Sequence, residues 1–361
     1  MAYTRSVSHR VQEVLWEQYG PRMFGLQARF SLATIQDMRQ AYLGCFLLLF
    51  TCVQSQAQDI NEQKKVVAFA FGTVHPRNRD GTPVKNAAGA PLEVEAPLGT
   101  VFFVGYPDAR GGPDFGFFYV VTAKHVLKDA DGSFLKEIKL RLNRKEPNGG
   151  SSVEFIGPVP VTDAQGRPIW FQDPSDDAVD VAAYPLAPNQ QRFDFTSIHV
   201  SMFADGNTIK TERVAEGDLL YFIGLMAQYY GDLKNYPVVR RGALGILTDE
   251  KIETPTGRQH AFIAELTSWP GNSGSPVFLN LAGLRGGNLT VGTNLKFLGI
   301  LSGSFLNRSR GTVLNSDTFI SGNDFNTGVS FIIPAERVKA VLDSPAAQAN
   351  RDAVVKKRFG K

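Results

Sequence analysis

Short runs in which apolar and polar residues alternate recur along most of the chain after Lys65, and they constrain the fold more than any other feature. In "IKLRL" (Ile138–Leu142), Ile and Leu lie on one face of the backbone and Lys and Arg on the other, which is typical of a half-buried β-strand. Turn-forming clusters such as "HPRNRDGTP" and "PDARGGPDFG" separate the runs. The pattern predicts about a dozen short strands arranged as an all-β sandwich or as a pair of barrels.

The composition is that of a folded globular protein with many turns. The 361 residues suffice for one large or two modest domains. With 43% hydrophobic and 20% charged residues the chain can bury a core, and its 35 glycines and 20 prolines favour a β-rich fold. The formal net charge of +3 gives no reason to expect a nucleic-acid partner.

The N-terminal region contains one strongly apolar run, "AYLGCFLLLFTCV" (41–53), which includes both cysteines of the chain. It is too short for a comfortable membrane span, and Ser55–Ala57 after it has the small-x-small form of a signal-peptidase site. We therefore predict a secretory signal at 38–57, preceded at 1–37 by an extension or a mis-assigned start. The mature protein would be secreted or periplasmic, without stable membrane insertion. An uncleaved anchor at 41–53 and a buried helix are the alternatives.

A Ser-based acyl transfer needs a base, an acidic partner for that base, and preorganised N–H donors for the oxyanion. Of the five histidines, His125 in "VVTAKHVL" follows an apolar strand, which would hold its imidazole firmly but leave it reachable. Asp180 in "DDAVDVAAYPL" directly precedes another apolar strand, and a buried carboxylate requires a partner. These two residues are therefore the candidates for the base and its acidic partner. A lone histidine is more often structural, so His125 qualifies only if its partners are present.

The predicted nucleophile is Ser273, in "GNSGSP". Gly271 and Gly274 allow main-chain conformations that a Cβ would forbid. Such a turn can direct the amides of Gly271 and Ser273 towards one point beside the Ser273 hydroxyl, as an oxyanion hole requires. Ser275 is the alternative nucleophile. It is ranked lower because Pro276 follows it, so it is not flanked by a pair of glycines as Ser273 is.

Taken in order, "VVTAKHVL", "DVAAYPL" and "GNSGSPVF" resemble the histidine, aspartate and serine segments of the trypsin-like (chymotrypsin-fold) serine endopeptidases. "GTVFFV" and "GVSFIIPAERVKAVL" are similar to segments of the bacterial HtrA-like and glutamyl-endopeptidase branches. The resemblance covers Val66 to Leu342. It implies an all-β fold of two antiparallel six-stranded β-barrels with a short C-terminal helix.

The resemblance also implies how the chain is divided. The first barrel, with the histidine and aspartate, would occupy 58–190. The second barrel, with the serine and the closing helix, would occupy 191–345, and 346–361 would form a basic, polar, frayed tail. In that helix, Val338, Val341 and Leu342 follow Pro334 at helical spacing. A PDZ domain would not fit in the sequence after Leu342.

The family roles carry over to this sequence residue by residue. Ser273 would be the nucleophile, His125 the general base and then acid, and Asp180 the carboxylate that orients it. The substrate would be a polypeptide, and no cofactor or metal is implied. Ser302, Gly303 and Ser304 fall where the family pairs its main chain with the substrate.

Three positions depart from better-known branches of the family. Asn272 stands where animal zymogens have the aspartate that binds a freed N-terminus, so activation by that ion pair is not expected. Thr267 stands where an aspartate would select Arg or Lys, and Leu301 where glutamyl endopeptidases have a histidine. Both positions are predicted substrate-contact sites, and the substrate preference and oligomeric state are left open.

The sequence allows two other readings. A catalytically silent relative could use the same fold to bind a partner, although a binding module has no need of all three residues in order. A β-domain unrelated to proteases could contain the serine motif by chance.

Overall fold

The structure is a computed structural model. It describes residues 60–78, 80–146, 152–254, 256–285, 287–308 and 324–360, without the side chains of 306–308 and 324–326. The signal segment predicted at 38–57 and the extension at 1–37 lie outside the described residues and stay predictions.

The first sheet contains seven strands from the first part of the chain. Six of them pair antiparallel in the order β5-β4-β1-β2-β3-β6, and β7 pairs in parallel with β2. The strands are β1 Val67–Val74, β2 Val94–Pro107, β3 Gly116–Thr122, β4 Glu137–Asn143, β5 Val153–Pro160, β6 Ala182–Pro185 and β7 Ile198–His199. In β4, Ile138, Leu140 and Leu142 are buried as the "IKLRL" pattern predicts. Arg141, which the pattern places on the polar face, is buried as well, and its guanidinium donates to the main-chain carbonyls of Gly231 and Asp232.

The second sheet is a closed antiparallel barrel of six strands in the order β12-β17-β16-β13-β8-β9. Closure leaves this sheet without a free edge. Its strands are β8 Leu219–Gly224, β9 Val238–Ile246, β12 Phe262–Glu265, β13 Pro276–Asn280, β16 Leu295–Arg308 and β17 Asp324–Pro334. Two hairpins project from it, made of β10 Lys251–Thr254 with β11 Gly257–His260, and of β14 Gly283–Arg285 with β15 Asn288–Thr290.

The two sheets share a buried aromatic contact. The ring of Phe297 on β16 lies 5.3 Å from that of Phe102 on β2 and 4.8 Å from that of Phe203 in the connecting segment. All three side chains are buried.

The sheet topology confirms the all-β, chymotrypsin-like fold predicted from the sequence. The second sheet is closed, and the first is left open between β5 and β6.

Within the described ranges, the helices that follow the first sheet include α1 Gly206–Thr211, α2 Ala335–Leu342 and α3 Pro345–Phe359. Helix α2 is the predicted closing helix, and its buried residues include the Val338, Val341 and Leu342 that the spacing indicated. No helix within the described ranges combines the length and apolarity needed to cross a bilayer.

The prediction of a frayed polar tail after residue 345 is wrong, because helix α3 occupies this segment. Ser344 caps its N-terminus by accepting a hydrogen bond from the Ala347 amide. Arg351, only 5% exposed, donates to the Tyr119 hydroxyl at 3.0 Å and to the Leu342 carbonyl at 2.7 Å. A cationic residue that looks solvated in the sequence thus anchors the helix to the first sheet.

Candidate active site

The strand register of the first sheet places His125 beside Asp180. Strands β3 and β6 pair antiparallel, with Thr122 opposite Ala182. His125 comes three residues after the end of this pairing on β3, in a 3₁₀ turn at Lys124–Leu127, and Asp180 comes two residues before it on β6. Antiparallel neighbours therefore bring the two residues to the same end of the sheet.

Asp180 contacts both the main chain and the side chain of His125. Its Oδ1 atom accepts from the His125 main-chain N–H at 2.9 Å, and its Oδ2 atom lies 2.7 Å from His125 Nδ1. Asp180 is 1% exposed, whereas one third of the His125 side chain is exposed, at 33%. The arrangement holds the ring at Nδ1 while part of the side chain stays accessible to solvent.

The pair stabilises one charge on each partner. Burial alone would lower the pKa of His125, but the charge of Asp180 and its hydrogen bond outweigh that effect and raise the pKa of His125 above its ordinary value. Burial alone would raise the pKa of Asp180, yet His125 and the hydrogen bonds hold the pKa of this carboxyl below its usual range. Asp180 therefore stays ionised and can support an imidazolium.

Ser273 lies in a turn immediately before β13, and this turn is shaped by its glycines. Gly271 and Gly274 have φ angles of +95° and +83°, which favour glycine. Ser273 is partly exposed, while Ser275 is fully buried and donates to the Thr100 hydroxyl at 3.2 Å. Between the two serines, only Ser273 is accessible to a substrate.

The amides of this turn divide into two groups. Those of Asn272, Gly274 and Ser275 donate to main-chain carbonyls at 2.8 to 3.0 Å. Those of Gly271 and Ser273 have no acceptor among the residues that the structure describes. Two unpaired amides separated by one residue, beside a serine, are what stabilisation of an oxyanion requires.

Thr100 on β2 joins the two halves of the site. Its amide donates to the Ser273 carbonyl at 2.8 Å, and its hydroxyl donates to the Gly271 carbonyl at 2.9 Å. The same hydroxyl accepts from the Leu225 amide at 2.8 Å. Sequence reasoning missed this residue, because "GTVFFV" reads as an ordinary strand. Its only sequence signal is a hydroxyl residue at an otherwise apolar strand position.

The packing around two glycines shows how close the serine turn lies to the histidine segment. A Cβ on Gly274 would lie 2.1 Å from the Thr100 carbonyl oxygen and 3.2 Å from the Ala123 amide. A Cβ on Gly99 would lie 2.8 Å from Val126 and 2.9 Å from the Ser273 carbonyl oxygen. Ala123 and Val126, on either side of His125, therefore lie close to the turn that contains Ser273.

Strand β16 contributes a further contact to the acid. The Ser302 hydroxyl donates to Asp180 Oδ2 at 2.5 Å, and Ser302 is 4% exposed. The predicted role of this residue was to pair with substrate through its main chain; its side chain additionally holds the carboxylate. Gly303 and Ser304 follow it and are partly exposed.

The structure assigns the predicted substrate-contact position Leu301 to the core. Its side chain is fully buried with the second-barrel residues, so the prediction of a substrate contact does not hold for this side chain. Its main chain supports the serine turn instead, accepting from the Gly274 amide at 2.8 Å and donating to the Ser275 carbonyl at 2.9 Å.

Asn272 and Thr267 occupy different environments. Asn272 is fully buried; its Oδ1 atom accepts from the Trp269 amide at 2.7 Å and its Nδ2 atom donates to the Leu225 carbonyl at 2.5 Å. Both ends of this amide thus brace the turn. Thr267 is exposed, and its hydroxyl lies 3.7 Å from the position of a Cβ on Gly328.

Nothing in the described ranges resembles a metal centre, because no three His, Cys, Asp or Glu side chains converge there as ligands would.

Comparison with solved structures finds similar folds at low sequence identity. The HtrA-type protease AlgW, in a structure with a decapeptide, is 15% identical with a TM-score of 0.40, over 79% of this chain and 66% of that chain. This chain thus spans slightly less than two thirds of AlgW. The MamO protease domain from Magnetospirillum magneticum, in its apo form, is 13% identical with a TM-score of 0.39, over 78% of this chain and 97% of that domain.

No protein-family model matches the sequence, and no curated protein matches it. The class is therefore defined by the architecture itself. A closed six-stranded antiparallel barrel, a second antiparallel sheet and a closing helix make this a trypsin-like, chymotrypsin-type fold.

Proposed function

We propose that this protein is a serine endopeptidase that hydrolyses peptide bonds through Ser273, His125 and Asp180. The observation that carries the proposal is the two-point contact of buried Asp180 with His125, next to a serine turn with two unpaired amides. His75 makes the same two-point contact with Asp129, so the proposal depends on the serine turn beside His125 and not on the histidine–aspartate contact alone.

In the proposed reaction, Ser273 Oγ attacks the carbonyl carbon of the scissile bond while His125 Nε2 takes the hydroxyl proton. The oxyanion that forms accepts hydrogen bonds from the amides of Gly271 and Ser273. The imidazolium then gives its proton to the departing amine as the C–N bond breaks, which leaves an acyl-enzyme. In the second half of the reaction, His125 Nε2 takes a proton from water as the water oxygen attacks the ester carbon. His125 then gives this proton to Ser273 Oγ as the ester C–O bond breaks, which releases the acid product and free Ser273.

The role of Asp180 in this scheme is electrostatic and geometric. It accepts from Nδ1–H, which fixes the tautomer that has a lone pair on Nε2, and its charge stabilises the imidazolium. Both effects depend on Asp180 being ionised, in agreement with its lowered pKa.

The proposed substrate is an extended polypeptide. Residues Ser302–Ser304 on β16 would pair with the main chain before the scissile bond, and Thr267 beside Gly328 would contact the side chain at that bond. An uncharged, exposed threonine offers no ion pair, so we do not expect selection for Arg, Lys or acidic residues at this position.

Labelling with a fluorophosphonate probe tests the catalytic proposal. We expect wild-type protein and Ser275→Ala to react and Ser273→Ala to stay unlabelled. Wild-type protein that is folded but unreactive would favour the catalytically silent binding protein, and labelling of Ser273→Ala would exclude Ser273 as the nucleophile.

We also propose that the protein is exported through the segment at 38–57. The support is the apolar run 41–53 followed by the small-x-small site at Ser55–Ala57. N-terminal sequencing of protein recovered outside the cytoplasm should begin after Ala57. A chain that retains 41–53 in the membrane fraction would instead indicate an anchor.

A further inference from the structure

The main-chain amide of Asp180 is bound by a side chain from a distant hairpin. It donates to Gln259 Oε1 at 3.0 Å, and both residues are buried, with Gln259 at 0% and Asp180 at 1% exposure. Asp180 precedes β6, so no ladder partner satisfies this N–H. Gln259 is its acceptor, and it fixes the position of the main chain from which the carboxylate projects.

Gln259 is itself held on the hairpin β10–β11. Its Nε2 atom donates to the hydroxyls of Thr254 at 2.9 Å and Thr256 at 2.7 Å. The side-chain oxygen and both side-chain N–H groups of Gln259 therefore have partners. A fully bonded buried amide has one orientation, so the Asp180 amide meets a rigid acceptor.

The same hairpin also contacts the segment that precedes Asp180. Lys251 Nζ lies 2.7 Å from Asp176 Oδ2, and a Cβ on Gly257 would lie 3.7 Å from Ala178. The hairpin projects from the second barrel, whereas residues 176–180 belong to the first sheet region. It therefore connects the barrel that contains Ser273 to the acid that supports His125.

We propose that Gln259 is a positioning residue for the reaction, acting through Asp180, and this rests on the proposed function. Asp180 must keep its two carboxylate oxygens on the main-chain N–H and the Nδ1 atom of His125, and a small displacement would weaken both contacts. Gln259 sets that position without adding charge beside the pair.

Several charged groups face the pair and set its electrostatic background. Lys124 and Lys128 lie on the histidine segment, Asp176 and Asp177 precede Asp180, and Lys251 lies on the hairpin. Lys124 Nζ donates to the Asp177 carbonyl. Gln259 is neutral among them, so its replacement by a charged or an apolar residue of similar size separates position from charge.

Two substitutions make the test. Gln259→Met keeps the volume but removes the acceptor, and we expect kcat to fall by about 10- to 100-fold with KM unchanged. The acid limb of the pH–rate profile should move to lower pH, because His125 loses support from a displaced Asp180. Gln259→Glu keeps an oxygen for the Asp180 amide. The Thr256 hydroxyl can donate to the other oxygen, whereas the Thr254 hydroxyl already donates to the Gly257 carbonyl. It should recover most of kcat and move the acid limb to higher pH, because the added negative charge favours the imidazolium.

Asn280→Ala is the matched control for the loss of a buried amide. Asn280 is 5% exposed and its Oδ1 atom accepts from the Ala282 amide at 3.1 Å, outside the site. We expect this variant to lose stability and to keep the wild-type kcat and acid limb. A Gln259→Met variant that behaves in the same way would overturn the positioning role and leave the proposed function intact.

An NMR titration of His125 makes the test independent of turnover. The pKa of His125 should fall in Gln259→Met and rise in Gln259→Glu. The Nδ1 proton resonance should likewise shift in one direction in the first variant and in the other direction in the second. If Gln259→Met does not fold, Gln259→Asn replaces it, because its side chain, shorter by one methylene, withdraws the acceptor from the Asp180 amide without adding charge. An unchanged pKa and Nδ1 proton resonance of His125 in that variant overturn the inference. Absence of activity and probe labelling in folded wild-type protein would instead refute the proposed function, while the titration still decides whether Gln259 positions the pair.

Discussion

The two halves of the proposed site are held by different kinds of interaction. On the first sheet, His125 and Asp180 are fixed by side-chain hydrogen bonds and by charge, with Ser302 and Gln259 bonded to the acid. On the second barrel, the serine turn is fixed mainly by its main chain, whose carbonyls and amides bond to neighbouring strands. The first half is therefore sensitive to charge, and the second to the shape of the backbone.

This difference suits what each half would do in the proposed reaction. The base has to change its charge during the reaction, so its surroundings must stabilise an imidazolium, which a buried carboxylate does well. The oxyanion hole has to present N–H groups that do not move, which a turn shaped by two positive-φ glycines provides without any ionisable group. Substitutions that alter charge and substitutions that alter the backbone should therefore have different effects in the two halves.

The largest effect is expected from Asp180→Asn, which removes the charge from the first half. We expect kcat to fall by about 10⁴-fold. In the wild type, the neutral base forms as pH rises through the raised pKa of His125. The increase in kcat/KM should therefore occur at a pH above the ordinary histidine pKa of about 6.5. In the variant this acid limb should move to lower pH, as pH–rate profiles would show.

An Asp180→Asn variant that retains wild-type kcat would contradict the assigned role of the acid. An unchanged acid limb would show that the raised pKa of His125 has another cause.

Gly271→Ala tests the backbone design of the second half. At φ +95° a Cβ would lie 2.9 Å from the Ala227 amide nitrogen, so the turn must shift and one oxyanion donor is misplaced. We expect kcat to fall by about 10²- to 10³-fold, with the acid limb unchanged because no charge is altered. Steady-state kinetics across pH would check both parts.

Gly283→Ala is the control for this substitution, since Gly283 has φ +105° with open space around it. It introduces the same kind of backbone strain on the hairpin β14–β15. Equal losses of kcat in the two variants would mean that the Gly271 result reports stability rather than the oxyanion hole.

Asn272→Asp places a charge within the backbone-built half. The carboxylate would face the Leu225 carbonyl that now accepts from Asn272 Nδ2, so the free energy of unfolding should fall by about 1–3 kcal/mol at pH 8. Burial would raise the pKa of the new carboxyl in the folded state. The loss should therefore disappear as pH falls and the group is protonated, which urea unfolding at pH 5 and pH 8 would show. A loss of the same size at both pH values would exclude buried charge as the cause.

The smallest effect is expected from Ser302→Ala, which removes one of the hydrogen bonds to Asp180. Because His125 still donates to this carboxylate, we expect kcat to fall only about fivefold, for a loss of about 1 kcal/mol. Ser344→Ala, which removes the buried cap of α3, should cost stability without changing kcat. Equal kcat values in the two variants would show that the Ser302 hydroxyl does not support Asp180.

Local patterns in the sequence predicted much of this molecule, for a physical reason. Alternation of apolar residues requires burial of one strand face, so the sequence predicted about a dozen short strands, among them Ile138–Leu142, which lies within β4. The spacing of Val338, Val341 and Leu342 predicted α2 in the same way. His125, Asp180 and Ser273 were chosen because each follows or precedes an apolar run, which places it at the end of a buried strand.

The sequence pattern was silent where polar residues are buried by partners far away in the chain. Gln259 in "GRQHAF" reads as a solvated turn, and Arg351 reads as part of a polar tail, because burial of a polar group depends on a hydrogen-bond partner that the local sequence does not contain. The Asp180–Gln259 contact joins residues 79 apart, and the Thr100–Gly271 contact joins residues 171 apart.

The sequence by itself thus predicted an all-β fold and the closing helix from periodicity, and its resemblance to a protease family indicated the three residues that we propose for acyl transfer. Only the tertiary structure decided how Asp180 is held, that Thr100 joins the serine turn to the first sheet, and that Leu301 faces the core. Those outcomes depend on hydrogen bonds and packing between strands distant in sequence, and such contacts exist only once both sheets have formed.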